Sequence, residues 1–374
     1  MSYSLEIYDN FDSLVEKKWD EFEKQSANYC FQNFYWLKNW YLNLEHSKNI
    51  KIINILISKK NDLKIILPLC IKEYKGIKYL RWQGDDRADY MSGLFTSDFR
   101  IEKKEFLKLW LLIKSKVGLF DIIYFERQPN FIDNVSNPFV KFLNVEKDYF
   151  TSSIVLEQSY DEFSNKNLKK KFTDDTRRRI NSLEKRGNLS FKIHEFNNEK
   201  EKKQITEQIL DHKIQRIKEQ KLKNNFNDGA KNFYINFENT KFKNGQLHIS
   251  SLDLNEVPIS LHWGVSYKNR FYHLMPATPY TEYMRFSPGR ILLQHLIKWS
   301  IDKNLKELDF TIGDEPYKKD WYNNKNTLFC YVEANNLKYF LVYLLIKTKI
   351  KSINFIKKFN FIKKGYRQLT RILR

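Results

Sequence analysis

Apolar positions along the chain switch repeatedly between helical spacing and strand-like runs. In FDSLVEKKWDEFEKQ, Phe11, Leu14, Trp19 and Phe22 recur at helical spacing, and FYWLKNWYLNLE puts Trp36, Leu37, Trp40 and Tyr41 on one face of a second helix. KIINILIS and LKIILPLCIKEY flank KKND and predict two strands joined by a turn. IKYLRWQG predicts a third strand, EFLKLWLLIKSK a helix and FDIIYFERQP a strand. Beyond Thr151, SIVLEQ predicts a short strand. A basic helix follows, capped by Ser159 with Glu162 three residues on and ending at Gly187. LSFKIHEF predicts a strand and residues 199–220 an amphipathic helix. Residues 245–278 predict three strands with turns at Asn255-Glu256 and Lys268-Asn269. GRILLQHLIKWSIDKN is then a helix and LKELDFTIG a strand.

Both halves thus run through helices, a meander, a helix and a strand, with no matching residues between them. A duplicated α/β fold is the economical reading. It divides the chain into lobes at 1–150 and 151–336 and a basic tail at 337–374. In that tail Phe340, Leu344, Ile350, Ile353, Phe355 and Phe359 interleave with Lys347, Lys349, Lys351, Lys357, Lys358, Lys363 and Lys364. This pattern suits a helix lying on an anionic membrane surface, or one packed on the body with its charge in solvent.

Composition changes this picture in three ways. At 374 residues with 42% apolar content, the chain affords a sizeable core. A formal charge of +20 points to anionic partners: a nucleic acid, an anionic membrane, an acidic carrier protein or a phosphorylated small molecule. Cys30, Cys70 and Cys330 are far apart and odd in number, so neither a disulfide framework nor a zinc spacing is visible, and no metal site is expected. The N-terminus carries acids early and lacks the apolar run of a secretory signal. YFLVYLLI is far short of a membrane span. The expectation is a cytoplasmic protein, peripheral at most to the inner face of the membrane.

The chemistry begins at FSPGRILLQH. Ser287 is placed to cap a helix, Pro288 suits its first turn and Gly289 permits close approach to the backbone. Free N–H groups and the dipole at such an end attract phosphate, and Arg290 adds a positive charge. The segment FSPGRILLQHLIKWSIDKNLKELDFTIGDEPYKKDW resembles the CelD-like branch of the GNAT acyltransferase superfamily, which is related to the Fem-type peptidoglycan transferases. Its pattern is met by Ser287, Pro288, Gly289, Asp309, Phe310, Gly313, Tyr317, Lys318 and Trp321. FQNFYWLKNWY, LPLCIKE, RADYMSGLF and the basic connecting helix are similar to other parts of that family, so the resemblance covers about Phe11 to Trp321.

The resemblance implies an α/β fold of two GNAT-like lobes, with mixed sheets flanked by helices. It implies acyl-CoA as co-substrate, bound at Ser287, Pro288, Gly289 and Arg290, with no tightly bound cofactor. The acceptor would be an amine or hydroxyl of a sugar or a lipid-linked cell-envelope precursor. The loop has one glycine where the family's acyl-CoA loops have two or more, and Fem-type relatives use aminoacyl-tRNA. The donor therefore stays open between coenzyme A, an acyl carrier protein and tRNA. A non-catalytic module binding a polysaccharide or membrane is the third reading.

Acyl transfer to an amine needs a base, oxyanion donors and an acid for the leaving group. Asp309 and Glu315 are the candidate bases, Tyr317 the candidate acid and His262 a further candidate facing the acceptor. Lys318 and Trp321, with Asp89 and Tyr90 of the first half, are candidate substrate contacts. Arg177, Arg178, Arg179, Lys185 and Arg186 would grip phosphates of a donor, or simply form a solvated basic face.

Overall fold

The computed structural model describes residues 3–44, 49–196, 198–221 and 224–358. The chain forms two compact units: residues 1–150 with 327–374, and residues 151–326.

In the first unit, helices Ser13–Glu23 and Phe34–Leu42 precede the meander Ile50–Lys59, Asp62–Tyr74 and Ile77–Trp82. Side chains of Asp12 and Asn33 cap the two helices, accepting from Val15 N and Trp36 N. Leu14 is exposed and Val15 is the buried residue of that turn, a one-position shift from the expected face. Lys60 and Asn61 both adopt left-handed φ, which joins the first two meander strands tightly. After helix Lys103–Lys116, strand Ile122–Pro129 pairs parallel to Ile77–Trp82. Strand Asn324–Ala334 then pairs antiparallel to Ile122–Pro129 from Leu328 onward. The second lobe therefore ends at Asn326 rather than at residue 336, because strand pairing draws the next segment into the first unit. Strand Tyr3–Tyr8, paired to Ile50–Lys59, was not visible in the apolar pattern.

The tail begins as helix Phe340–Lys358, packed on the first unit through Val342, Tyr343, Ile346 and Ile350. Phe359, Lys363 and Lys364 lie outside the described residues, as do the side chains of Ile353, Lys357 and Lys358.

The second unit repeats the plan. Strand Val145–Val155, longer than the predicted SIVLEQ, enters it at Thr151. The predicted basic helix is two helices, Tyr160–Asn167 and Lys170–Glu184. Leu168 and Lys169 between them are extended, and Leu168 packs on the core. Ser159 caps the first as expected, accepting from Glu162 N at 3.1 Å. Strand Leu189–Ile193 and helices Glu199–Glu219 and Asp228–Ile235 lead to the meander Gly245–Leu254, Val257–Tyr267 and Arg270–Ala277. Asn255 and Glu256 are both left-handed, as a two-residue hairpin turn requires.

Helix Pro288–Asp302 and strand Glu307–Ile312 complete the repeat. The helix buries Ile291, Leu292, Leu293, Leu296 and Ile297, each contributing roughly 1.5–3 kcal/mol. It stops in a Schellman turn: Asn304, left-handed at φ 55°, donates to Ile301 O, and Leu305 donates to Ser300 O. Strand Glu307–Ile312 lies parallel to Arg270–Ala277 and antiparallel to residues 151–155. The parallel pair in each unit is the one that a helix crossover demands. Both units thus carry mixed sheets flanked by helices, the architecture expected from the sequence.

Candidate active site

The parallel strands of the second unit pair at Arg270 with Glu307, Phe271 with Leu308 and Tyr272 with Asp309, and the pairing stops there. Beyond Tyr272 the strand Arg270–Ala277 is bulged. Its antiparallel register steps from Val265–Tyr272 to Trp263–Met275, setting His273 and Leu274 against Gly264 alone. A bulge leaves backbone groups outside the ladder. Gly264 is required here, because a Cβ would stand 2.4 Å from His262 Cε1 and from Tyr272 O.

Three imidazoles line up beside this bulge on adjacent strands. Ring centroids of His262 and His273 are 4.4 Å apart, and those of His248 and His262 are 6.3 Å apart. All three are buried, and both nitrogens of His248 and His262 and Nδ1 of His273 lack hydrogen-bond partners. Burial drives each toward the neutral form: His273 to about 3, His248 to about 4, and His262 well below its ordinary value. His273 and His248 had not been singled out in the sequence. In register His262 faces Ser250 and Pro276 rather than either of them, so strand pairing read from the sequence would not have joined the three.

The end of strand Glu307–Ile312 is bent back. Thr311 is left-handed at φ 57° and Gly313 has φ 138°. Asp309 is 1% exposed; its Oδ1 accepts from Thr311 N at 2.7 Å and its Oδ2 lies 3.9 Å from Arg270 Nε. This carboxylate holds the bend. Lys318 is also buried, and its ammonium donates to Phe310 O at 2.9 Å and Ile312 O at 3.2 Å. It is thereby committed to the strand end rather than free to meet developing charge. Glu315 pairs with Lys318 at 2.8 Å while its own side chain stays 52% exposed. Gly313 makes room for it, since a Cβ there would meet the Glu315 carboxylate at 2.2 Å. Tyr317 lies beside Phe310 and His273, with centroids at 6.3 and 6.5 Å. Its pKa is raised, first by burial of its hydroxyl away from water and then by the charge of Glu315, so it stays protonated. Lys213, on helix Glu199–Glu219, has its pKa lowered by burial against the opposing pull of Glu315. It was missed in the sequence.

Glu315, Tyr317, His262, His273 and Lys213 therefore interact around the open end of the parallel pair. Trp321 is buried against Phe172, centroids 5.1 Å apart, and lines a separate pocket of about 250 Å³ with Tyr160, Thr176 and Gln294. Asp89 and Tyr90 belong to the first unit. There Tyr90 is buried and stacked on Tyr29 at 4.1 Å, and its carbonyl accepts from Gln32.

The helix start differs from expectation in its chemistry. Ser287 is left-handed at φ 53° and does not cap the helix with its side chain; its hydroxyl receives Arg179 at 3.0 Å. Pro288 has no N–H, and Arg290 N turns back to Ser287 O. Arg290 lies over the Phe172 ring at 4.4 Å and donates to Asp175 at 2.7 Å, so its charge is already paired. Gly289 packs closely, with a Cβ position 3.2 Å from Thr278 Oγ1. Of the basic run, Arg179 also binds Asp175 and Arg285 O, and Arg186 covers Phe286. Arg177 and Arg178 are exposed. Among the described residues, no group of His, Cys, Asp and Glu is gathered to hold a metal ion.

A family model described as an acetyltransferase (GNAT) domain matches residues 170–319, the stretch that contains these elements. The crystal structure of FemX superposes with a TM-score of 0.62 at 13% identity, covering 90% of this chain and 100% of that one. The structure of L-PGS from Bacillus licheniformis gives 0.52 at 11%, covering 91% and 98%. The C-terminal domain of a putative lysylphosphatidylglycerol synthetase from Agrobacterium fabrum gives 0.51 at 9%, covering 90% and 96%. At these identities the likeness is one of fold. No curated protein sequence matches significantly. Residues 170–319 thus match a GNAT acetyltransferase domain, and the chain as a whole shares the fold of FemX.

Proposed function

We propose that this protein is an acyltransferase that moves an acyl group from acyl-CoA, or an acyl carrier, to an amine or hydroxyl of a sugar or cell-envelope precursor. The observation that carries this reading is the parting of the two parallel strands after Tyr272 and Asp309, beside the bulge at His273–Leu274. An extended donor arm lies along the opened strand edge, and backbone N–H groups released by the bulge polarise its carbonyl. The acceptor nitrogen attacks the carbonyl carbon and gives its proton to Glu315. The carbon–sulfur bond then breaks, and Tyr317 protonates the thiolate. Transfer of the proton from Glu315 to Tyr317 resets the site. Lys318, paired with Glu315 at 2.8 Å, orients that carboxylate. Asp309 acts as a positioning residue, and the neutral imidazoles of His262 and His273 form the polar wall behind the acceptor.

A second reading for the donor has its own support. Asp175 neutralises Arg179 and Arg290, and Pro288 removes one N–H, which leaves the helix start a weaker pyrophosphate cradle than the sequence suggested. An aminoacyl ester of tRNA, gripped by Arg177 and Arg178, which stay exposed beside their helix partners Asp174 and Asp175, needs no such cradle. Thermal melting of the full chain with acetyl-CoA, longer acyl-CoAs and charged tRNA, each in excess over its Kd, separates the readings. A rise with acyl-CoA supports the first and a rise with charged tRNA alone supports the second. No rise with any of them overturns both.

A further inference from the structure

Helix Phe340–Lys358 is apolar on two opposite faces. The inner face is used: Val342, Tyr343, Ile346 and Ile350 pack against Ile122, Cys330 and Val332 of the first unit. The outer face carries Leu341, Leu344, Leu345 and Phe355, continued by Leu337 in the preceding turn. These side chains are 72%, 41%, 70%, 59% and 89% exposed. At 3.6 residues per turn they share one face, a leucine stripe over its first two turns with Thr348 and Ser352 standing between it and Phe355. A helix held to a protein body by one apolar stripe normally turns polar residues to solvent on the other. A contiguous exposed apolar stripe marks an interaction surface.

Charge indicates what covers it. The same projection puts Lys338 and Lys349 along one border of the stripe and Lys351 along the other. From Leu337 to Arg374 the chain has eleven Lys and Arg and no Asp or Glu. Lysines on both borders, Lys351 still 65% exposed beside Glu146, match a lipid surface: acyl chains accept the leucines while anionic headgroups meet the ammonium groups. Among the described residues no helix is long and apolar enough to cross a membrane, so the contact is an interfacial one. We propose that this outer face docks on an anionic membrane surface, with the helix lying in the plane of the interface and the first unit held beneath it.

The test is sedimentation of the full chain with vesicles of phosphatidylglycerol and phosphatidylcholine, beside vesicles of phosphatidylcholine alone. The unmodified protein is expected to sediment with the anionic vesicles at low salt and to be released as salt rises. The double variant Leu341→Glu, Leu345→Glu alters only exposed positions. It is expected to partition at least about tenfold more weakly at an unchanged melting temperature. Failure of the unmodified protein to sediment, or equal sedimentation of the variant, overturns the proposal. So does a stable homodimer in analytical ultracentrifugation that the same variant splits without any vesicle binding. None of these outcomes depends on the acyl donor.

Discussion

Arg290 donates to Asp175 at 2.7 Å, and Arg179 reaches the same carboxylate oxygen at 2.8 Å. One carboxylate oxygen thus serves two guanidinium groups at the start of helix Pro288–Asp302, and Arg178 lies 3.6 Å from the other. The Arg179 hydrogen bond, followed by that of Arg290, holds the Asp175 carboxyl below its usual range. Its stabilisation is therefore present above the ordinary carboxylate pKa and lost as pH falls through the lowered folded-state value. Asp175→Asn is expected to cost about 1 kcal/mol at neutral pH. Its melting temperature should converge on that of the parent in acid. If the donor carries a pyrophosphate at this helix, the same variant should bind it more tightly, because two cations lose their internal partner.

The buried histidines predict a second pH dependence. His248, His262, His273 and His295 all have lowered pKa values, burial being the first cause in each. Between about pH 4 and 6.5 the unfolded chain binds protons that the native one refuses, so stability rises with pH across that window and levels off above it. Each such histidine contributes about 1.4 kcal/mol per pH unit there. Melting temperatures from pH 7.5 down to 4.5 should fall steeply, and less steeply in His262→Gln. A flat profile would show that these imidazoles are not held neutral.

Glu315 and Asp309 should separate by assay. Glu315→Gln is expected to lower turnover roughly 10²–10⁴-fold with donor affinity and melting temperature kept. Asp309→Asn removes the charge facing Arg270 and leaves Thr311 N a neutral amide oxygen in place of a carboxylate, so it should lower the melting temperature as well. Full activity in Glu315→Gln would move the base to one of the neighbouring imidazoles.

Two glycines predict opposite phenotypes. Gly313→Ala places a Cβ against the Glu315 carboxylate at φ 138°, and should cost about 1–3 kcal/mol together with activity. Gly289→Ala meets Thr278 Oγ1 at 3.2 Å and Ser260 Oγ at 3.7 Å, both side-chain hydroxyls that can turn away, and should fold normally. Gly289→Asp should also fold, yet lose melting-temperature stabilisation by any donor whose phosphate approaches this turn. Equal stabilisation of Gly289→Asp and the parent would remove the helix start from the donor site.

Much of the fold was legible because it is local. The Asn255-Glu256 turn and the Asn304 helix stop follow from residue chemistry within a few positions. The break at Leu168 is marked by neither proline nor glycine. The pairing of residues 328–334 with strand Ile122–Pro129 spans two hundred residues, which no periodicity encodes. At the site, Tyr317 was named through the matched motif and Glu315 through its place in the turn after strand Glu307–Ile312. Lys213 is one cation among 65 Lys and Arg, set apart only by its packing. Ser-Pro-Gly reads as a capped phosphate turn, but the left-handed Ser287 directs its hydroxyl to Arg179 instead.

Strand Asn324–Ala334 completes the first unit from the far side of the second. During synthesis on the ribosome, the first unit must wait with an open strand edge while residues 151–326 emerge and fold. The second unit is in effect an insertion whose own folding decides how soon that edge is sealed. A slow-folding variant anywhere within it would lengthen the period during which Ile122–Pro129 can pair with the wrong chain.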